Sequence, residues 1–152
     1  MYERFKNFTV LITKINRSIH KIKAEEMAEF HLKSPHVSCL YYLYKEGSLT
    51  AKELSDICEE DKSSISRSLD YLEENGYIAC ASNAKKRYKA ALTLTEKGKG
   101  VGAQIAEKID RVLDPASLGL SEENRAIMYE SLTLISDNLE KICKKYGDEK
   151  TR

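Results

Sequence analysis

The stretch LTAKELSDICEEDKSSISRSLDYLEENGYI, residues 49–78, decides the fold. Thr50 and Glu53 have the spacing of a capping box. The Thr50 hydroxyl can accept from the Glu53 amide while the Glu53 carboxylate reaches back to the chain start. The helix they open is short and ends near Cys58. Asp61 is placed to cap a second helix, in which Ile65, Leu69 and Leu72 form a narrow apolar stripe and which Asn75-Gly76 ends. Two capped helices joined by a tight turn at Glu59-Glu60 predict a helix-turn-helix, a unit that offers the start of its second helix to the DNA major groove.

The second helix can be examined face by face at about 100° per residue. Ile65, Leu69 and Leu72 fall on the inner side, while Ser63 and Arg67 point nearly opposite, flanked by Ser66. Lys62, Ser63 and Ser64 occupy the first turn, where free amides and the helix dipole favour a phosphate. Short hydroxyl side chains allow close backbone approach, and Arg67 is long enough to reach a guanine O6/N7 edge.

Working outward toward the C-terminus, Tyr77–Cys80 reads as a strand, Ser82–Lys86 as a polar turn, and Tyr88–Leu94 as a returning strand interrupted by Ala90-Ala91. The tip of this hairpin carries Lys85, Lys86, Arg87 and Lys89. These are cations where a β-wing would lay them along a phosphate backbone or into a minor groove. A helix follows from Thr95, carries Val101, Ile105, Ile109 and Val112, and is expected to stop before Pro115, with Gly98, Gly100 and Gly102 weakening its first turns. Toward the N-terminus, Ser34-Pro35 reads as a cap and first-turn proline. Val37, Leu40, Tyr41 and Tyr44 then mark one helical face up to Gly47.

Each end of the chain carries a long apolar seam. Phe5, Phe8, Ile12, Ile15, Ile19 and Ile22 alternate spacings of three and four, as do Met128, Leu132, Ile135, Leu139, Ile142 and Tyr146. Ser121 is placed to cap the second seam and Gly147 to stop it. A small domain seldom needs two such seams for its own core, so they are expected to pack against a second copy. The fold class is therefore mainly α with a small β wing, about six helices plus a hairpin. It is expected to form one domain over residues 1–152, with dimerisation helices at 1–30 and 121–146, a winged helix-turn-helix at 34–94 and a connecting helix at 95–114.

The composition excludes several classes. No apolar run is long enough to span a bilayer, and the charged start lacks a signal-peptide pattern, so a cytoplasmic protein with no membrane partner is expected. The 25 Lys and Arg balance 24 Asp and Glu to a net charge of +1, so any affinity for DNA must come from where the charge sits. Neither a phosphate-binding glycine loop nor a hydrolase or metalloprotease motif is present, and no catalytic residue or cofactor is expected. Cys39, Cys58, Cys80 and Cys143 are scattered, which indicates neither a zinc ribbon nor a disulfide framework. His31, His36 and Cys39 lie near one another, but a helix-start histidine and a buried cysteine explain them more simply, so no metal site is assigned.

Residues 49–78, together with YKAALTLTEKGKG at 88–100, resemble the MarR family of winged-helix regulators. Leu94, Thr95 and Gly98 match the run that closes the family's wing, and the likeness extends over nearly the whole chain. By position, the resemblance implies a recognition helix at residues 61–75 and a wing at 78–94. It implies a homodimer that reads a pseudo-palindromic operator in double-stranded DNA, acting as a repressor relieved by a small aromatic or acidic ligand. Tyr41, Tyr42 and Tyr44 lie on the helix that would line such a pocket. One departure stands out: Lys86 and Tyr88 occupy the places of the family's Asp-x-Arg at the wing tip, leaving Arg87 as the candidate for the minor groove. Peroxide-sensing relatives place their cysteine in the first helix, where this chain has none, and Cys39 is the remaining redox candidate. Other readings are a protein-interaction adaptor or a metal- or redox-responsive member of the same family.

Overall fold

The computed structural model describes residues 2–58, 60–80 and 89–149. The elements run α1 (Tyr2–Glu26), a 3-10 turn (Ala28–Phe30), α2 (Ser34–Glu46), β1 (Ser48–Leu49), α3 (Ala51–Cys58) and α4 (Lys62–Glu74). The hairpin strands β2 (Ile78–Cys80) and β3 (Leu92–Leu94) follow, then α5 (Glu96–Ala116) and α6 (Glu122–Glu149). This is the mainly α winged helix-turn-helix expected, with six α-helices among the described residues. The chain divides into two compact units, Met1–Arg111 and Val112–Arg152, with the division falling inside α5.

Several boundaries differ from the sequence expectation. The sheet has three strands in the order β1-β3-β2, because Ser48-Leu49 pairs antiparallel with Leu92-Thr93. Two residues between helices carry too little alternation to announce a strand. In the other direction β3 starts at Leu92 rather than Tyr88: Lys89–Ala91 stay outside the ladder, where Ala90-Ala91 supply no branched or aromatic side chain to hold a pleated surface. Helix α1 ends at Glu26 and passes into the 3-10 turn. Helix α2 begins at Ser34 itself, with Lys33 in the capping position and its amide donating to His36 Nδ1 at 3.3 Å. Pro115 sits in the last turn of α5 instead of ending it, and α6 runs through Gly147 to Glu149. A helical glycine costs only about 1 kcal/mol, too little to stop a helix unaided.

The core of the first unit collects one face from each element. Val37, Leu40 and Leu43 of α2 meet Leu54 of α3, Ile65, Leu69 and Leu72 of α4, and Ile78 and Leu92 of the sheet, with Ile105 of α5 also buried. In the second unit α6 opens as expected: the Ser121 hydroxyl accepts from the Asn124 amide at 3.1 Å. The end seams behave differently from the core. Ile15 and Ile19 of α1 are 52% and 53% exposed, and Leu139 and Tyr146 of α6 are 48% and 65% exposed.

The end of α4 is tied down at one carbonyl. Gly76, at φ +73°, lets the chain reverse, and the amides of Gly76 and Tyr77 donate back to Glu73 (2.9 Å) and Leu72 (2.8 Å), a Schellman closure. The Tyr77 carbonyl then accepts from the Thr95 amide at 3.0 Å and the Thr95 hydroxyl at 3.2 Å. Thr95 Oγ1 also accepts from the Gly98 amide at 3.1 Å, capping α5. A Cβ at Gly98 would overlap the Tyr77 carbonyl, so glycine is required there by contact, whereas a Cβ at Gly100 would meet nothing. Gly98→Ala should therefore cost about 1–3 kcal/mol through overpacking against backbone. Gly100→Ala should stabilise by up to about 1 kcal/mol through helix propensity alone. Urea denaturation of the two variants checks this; equal effects would mean that α5 does not depend on the close approach.

Candidate nucleic-acid interface

The interface is built from α3 upward. Thr50 and Glu53 form the expected capping box: the Thr50 amide and hydroxyl donate to Glu53 Oε2 at 2.7 and 2.8 Å, and the Glu53 amide donates to Thr50 Oγ1 at 3.2 Å. With so short a helix, this cap and two buried residues, Ala51 and Leu54, do much to hold it. After Cys58 the chain turns through Glu60, whose amide donates to the Ser55 carbonyl at 3.3 Å while the Ser55 hydroxyl donates to the Glu60 carbonyl at 2.7 Å. Glu59 lies outside the described residues. This pair of bonds fixes where α4 begins.

Helix α4 buries the inner stripe read from the sequence, Ile65, Leu69 and Leu72, together with Ser68. Sequence reasoning missed Ser68. Its place three residues after Ile65, on the same arc, is the signal that would have found it. On the other side Lys62, Ser63, Ser66 and Arg67 are exposed, and Ser64 is half-buried. The structure thus brings Ser63, Ser66 and Arg67 onto one outward face.

The electrostatics of the helix start differ from the free-amide picture. Asp61 Oδ1 accepts from the Ser64 amide at 2.8 Å and from the Ser63 hydroxyl at 2.6 Å. A carboxylate therefore already occupies the position where a phosphate was expected. The Ser63 hydroxyl, the Ser64 amide and the charge of Arg67 hold the Asp61 carboxyl below its usual range, in that order. Ser63 is first a partner of the cap, leaving Ser66 and Arg67 as the outward-reaching groups.

At the far end of α4, Asn75 Nδ2 donates to the Tyr71 carbonyl at 2.8 Å. The Lys97 ammonium donates to the Asn75 carbonyl at 2.7 Å and lies 4.1 Å from the Tyr77 ring centroid. Lys97 was not anticipated; it ties the base of the hairpin to the end of α4. Of the expected wing cations, Lys85, Lys86 and Arg87 lie outside the described residues, while Lys89 is exposed just ahead of β3.

The tyrosines of α2 separate. Tyr44 packs where a Cβ at Gly102 would press on it, and it lines an open cleft of about 430 Å³ with Leu43, Gly47, Thr93, Leu94 and Lys99. Tyr41 and Tyr42 pair edge to face at 5.2 Å, half-buried against the core. A groove of about 390 Å³ lies between α1 and α2, lined by His20, Lys23, Met27, Leu32 and Val37 among others. His36, considered above beside Cys39 as a metal ligand, is buried and stacks on Tyr71 of α4 at 4.3 Å between centroids.

A short capped helix, a second helix buried along one stripe and a three-stranded antiparallel sheet together define a winged-helix DNA-binding domain. The family model described as a winged helix DNA-binding domain matches residues 36–113. The regulator YfiV of Bacillus subtilis, itself described as uncharacterized, is 28% identical over 134 residues, covering 86% of this chain and 82% of that one. A MarR family regulator from Neisseria meningitidis superposes with a TM-score of 0.77 at 24% identity, over 91% of this chain and 97% of that one. Staphylococcus aureus MarR, solved with salicylate and kanamycin, superposes at 0.75 with 19% identity, over 90% and 92%. The chain belongs to the MarR family of winged-helix transcriptional regulators.

The two caps make a pH prediction. The carboxyls of Glu53 and Asp61 are both held low, that of Glu53 chiefly by its bond from the Thr50 amide. Their contribution to stability is complete above the ordinary carboxylate value of about 4 and is lost as pH falls through the lower folded-state values. The urea midpoint should drop as pH falls below about 5, with a shallower drop for Asp61→Asn. Parallel curves for the variant and the parent would show that the Asp61 cap contributes nothing.

Proposed function

We propose that this regulator acts as a homodimer on a pseudo-palindromic operator and represses by occluding the promoter. Each recognition helix would enter a major groove through Ser66 and Arg67, with Lys62, Ser63 and Ser64 at its mouth. Each wing would follow the flanking backbone through Lys85, Lys86, Arg87 and Lys89. The observation that carries the reading is the division of α4 into a buried stripe and an outward face bearing Ser66 and Arg67. With a near-zero net charge, affinity depends on this local arrangement rather than on a general positive field.

The homodimer is supported by the apolar residues left exposed along α1 and α6. Large exposed apolar surfaces of this kind mark association sites in soluble proteins. Ile19→Glu combined with Ile142→Glu should convert a dimer to a monomer in sedimentation velocity and abolish tight operator binding. A monomeric parent protein would overturn the dimer.

Relief by a small aromatic acid is supported by the groove between α1 and α2. There His20 and Lys23, whose ammonium also donates to Ser38 Oγ at 2.8 Å, lie beside apolar Met27, Leu32 and Val37, a mixed lining that suits an aromatic acid. The Tyr44 cleft is the second place for such a ligand, with Tyr41 and Tyr42 as its neighbours on α2. Salicylate is the natural first probe, since the Staphylococcus aureus relative was solved with it.

Fluorescence anisotropy against the DNA upstream of the protein's own gene tests the whole reading. Arg67→Ala should cost about 1–3 kcal/mol on the preferred sequence and relax base preference. Lys85→Ala should weaken binding evenly across sequences and reduce the salt slope by about one phosphate contact. No binding to any duplex at low salt, from a folded protein, would overturn the DNA reading in favour of a protein-interaction adaptor.

A further inference from the structure

Tyr71 is the sole aromatic residue of α4. It follows Arg67 by four residues, as Arg67 follows Ser63, and a step of four advances only about 40° around a helix. The three side chains therefore form one ridge. Tyr71 is 37% exposed, and its hydroxyl has no hydrogen-bond partner among the described residues. One face of its ring is already held: it stacks on His36 of α2 at 4.3 Å between centroids, 7° from parallel. His36 is buried, and its Nδ1 accepts from the Lys33 amide at 3.3 Å. Burial and the charge of Lys33 push the imidazole down, which keeps the ring neutral and Nδ1 able to accept. Lys33 itself is exposed, and its ammonium makes no ion pair among the described residues. A continuous path thus runs from an exposed cation at the start of α2, through a buried ring, to an exposed phenol on α4.

We infer that Lys33 and Tyr71 together hold one phosphate of the DNA backbone at the wall of the major groove, with His36 as the positioning residue between them. The inference deepens the DNA reading of α4 and rests on it. Recognition helices read bases with their first turns. Tyr71 lies eight residues beyond Ser63, about 12 Å farther along the axis at about 1.5 Å per residue. The major groove is itself about 12 Å wide, so a side chain that far from the base-reading turn meets the backbone. The second half of α4 otherwise carries Asp70, Glu73 and Glu74, which leaves the flank beside α2 as the place a phosphate can approach. There Lys33 supplies charge and the Tyr71 hydroxyl supplies a directional, neutral donor. Because the stack fixes the ring before DNA arrives, little side-chain freedom is lost on binding.

The test is fluorescence anisotropy of the full-length protein on the upstream duplex and on a random duplex, each over a salt series. Urea denaturation of every variant controls for folding. Tyr71→Phe keeps the stack and removes only the hydroxyl. It should lower affinity roughly three- to tenfold on both duplexes and leave the salt slope unchanged, because no charge is lost. Lys33→Ala should weaken binding to both and reduce the slope by about one. The double variant should lose less than the product of the two single losses, since both groups serve one phosphate. His36→Asn keeps an acceptor for the Lys33 amide but removes the ring, and should weaken binding several-fold. His36→Phe keeps a ring without the acceptor and should restore affinity, which a purely structural role for His36 would not allow. If Tyr71→Phe binds like the parent while Arg67→Ala is impaired, the phosphate contact is overturned and the DNA reading stands. A loss confined to the upstream duplex makes Tyr71 a reader of bases and overturns it as well. Strictly multiplicative losses in the double variant overturn the shared phosphate. A folded parent that binds neither duplex overturns the DNA reading, and this contact with it.

Discussion

The carbonyl oxygen of Tyr77 is where α4, the β-sheet and α5 meet. It lies just past the Schellman closure of α4, accepts from both the amide and the hydroxyl of Thr95, and lies against the Cα of Gly98. Because Thr95 also caps α5, one side chain ends the sheet, begins a helix and holds the far end of α4. Lys97 adds a second tie to the same corner through the Asn75 carbonyl and the Tyr77 ring. Without this junction, the far end of α4 would lose its ties to the sheet and to α5. Its direction could then drift relative to the hairpin.

The junction also explains a feature that looks like a defect in the sequence. Three glycines in the first turns of α5 lower its helix propensity. Two of them have steric work: Gly98 admits the Tyr77 carbonyl, and Gly102 admits the Tyr44 side chain. Gly100 faces open space and has no such contact. Local propensity has been given up where two elements must approach more closely than a Cβ allows.

Much of the fold was legible because its signals are local. The Thr50–Glu53 box, the Asp61 cap, the stripe of Ile65, Leu69 and Leu72, and the Asn75-Gly76 stop each depend on residues within one turn of each other. All appear in the structure as read. What escaped depends on contacts across the chain. Strand β1 exists because Leu92 and Thr93 offer it a ladder, and Ser68 is buried because neighbouring helices close over it. Charge was legible as composition but not as occupancy: the first turn of α4 was read as open to phosphate, yet Asp61 fills part of it. The face bearing Ser66 and Arg67 was legible from helical period alone, whereas the tyrosines of α2 were not assignable to one pocket by period.

The apolar rows along α1 and α6 bear on the lifetime of the protein as well as on its assembly. In a single chain these side chains remain in water, and the free energy of covering them is gained only when a second surface is present. In the proposed homodimer, stability would be governed by mass action and rise with the amount of protein, instead of being a fixed property of the sequence. Scarce copies of such a dimer would spend more time alone, open more often and be removed faster by quality control, while abundant copies would shelter one another. A regulator that dimerises in this way would have its half-life coupled to its own copy number. A fall in synthesis would therefore be steepened by faster loss of the copies that remain.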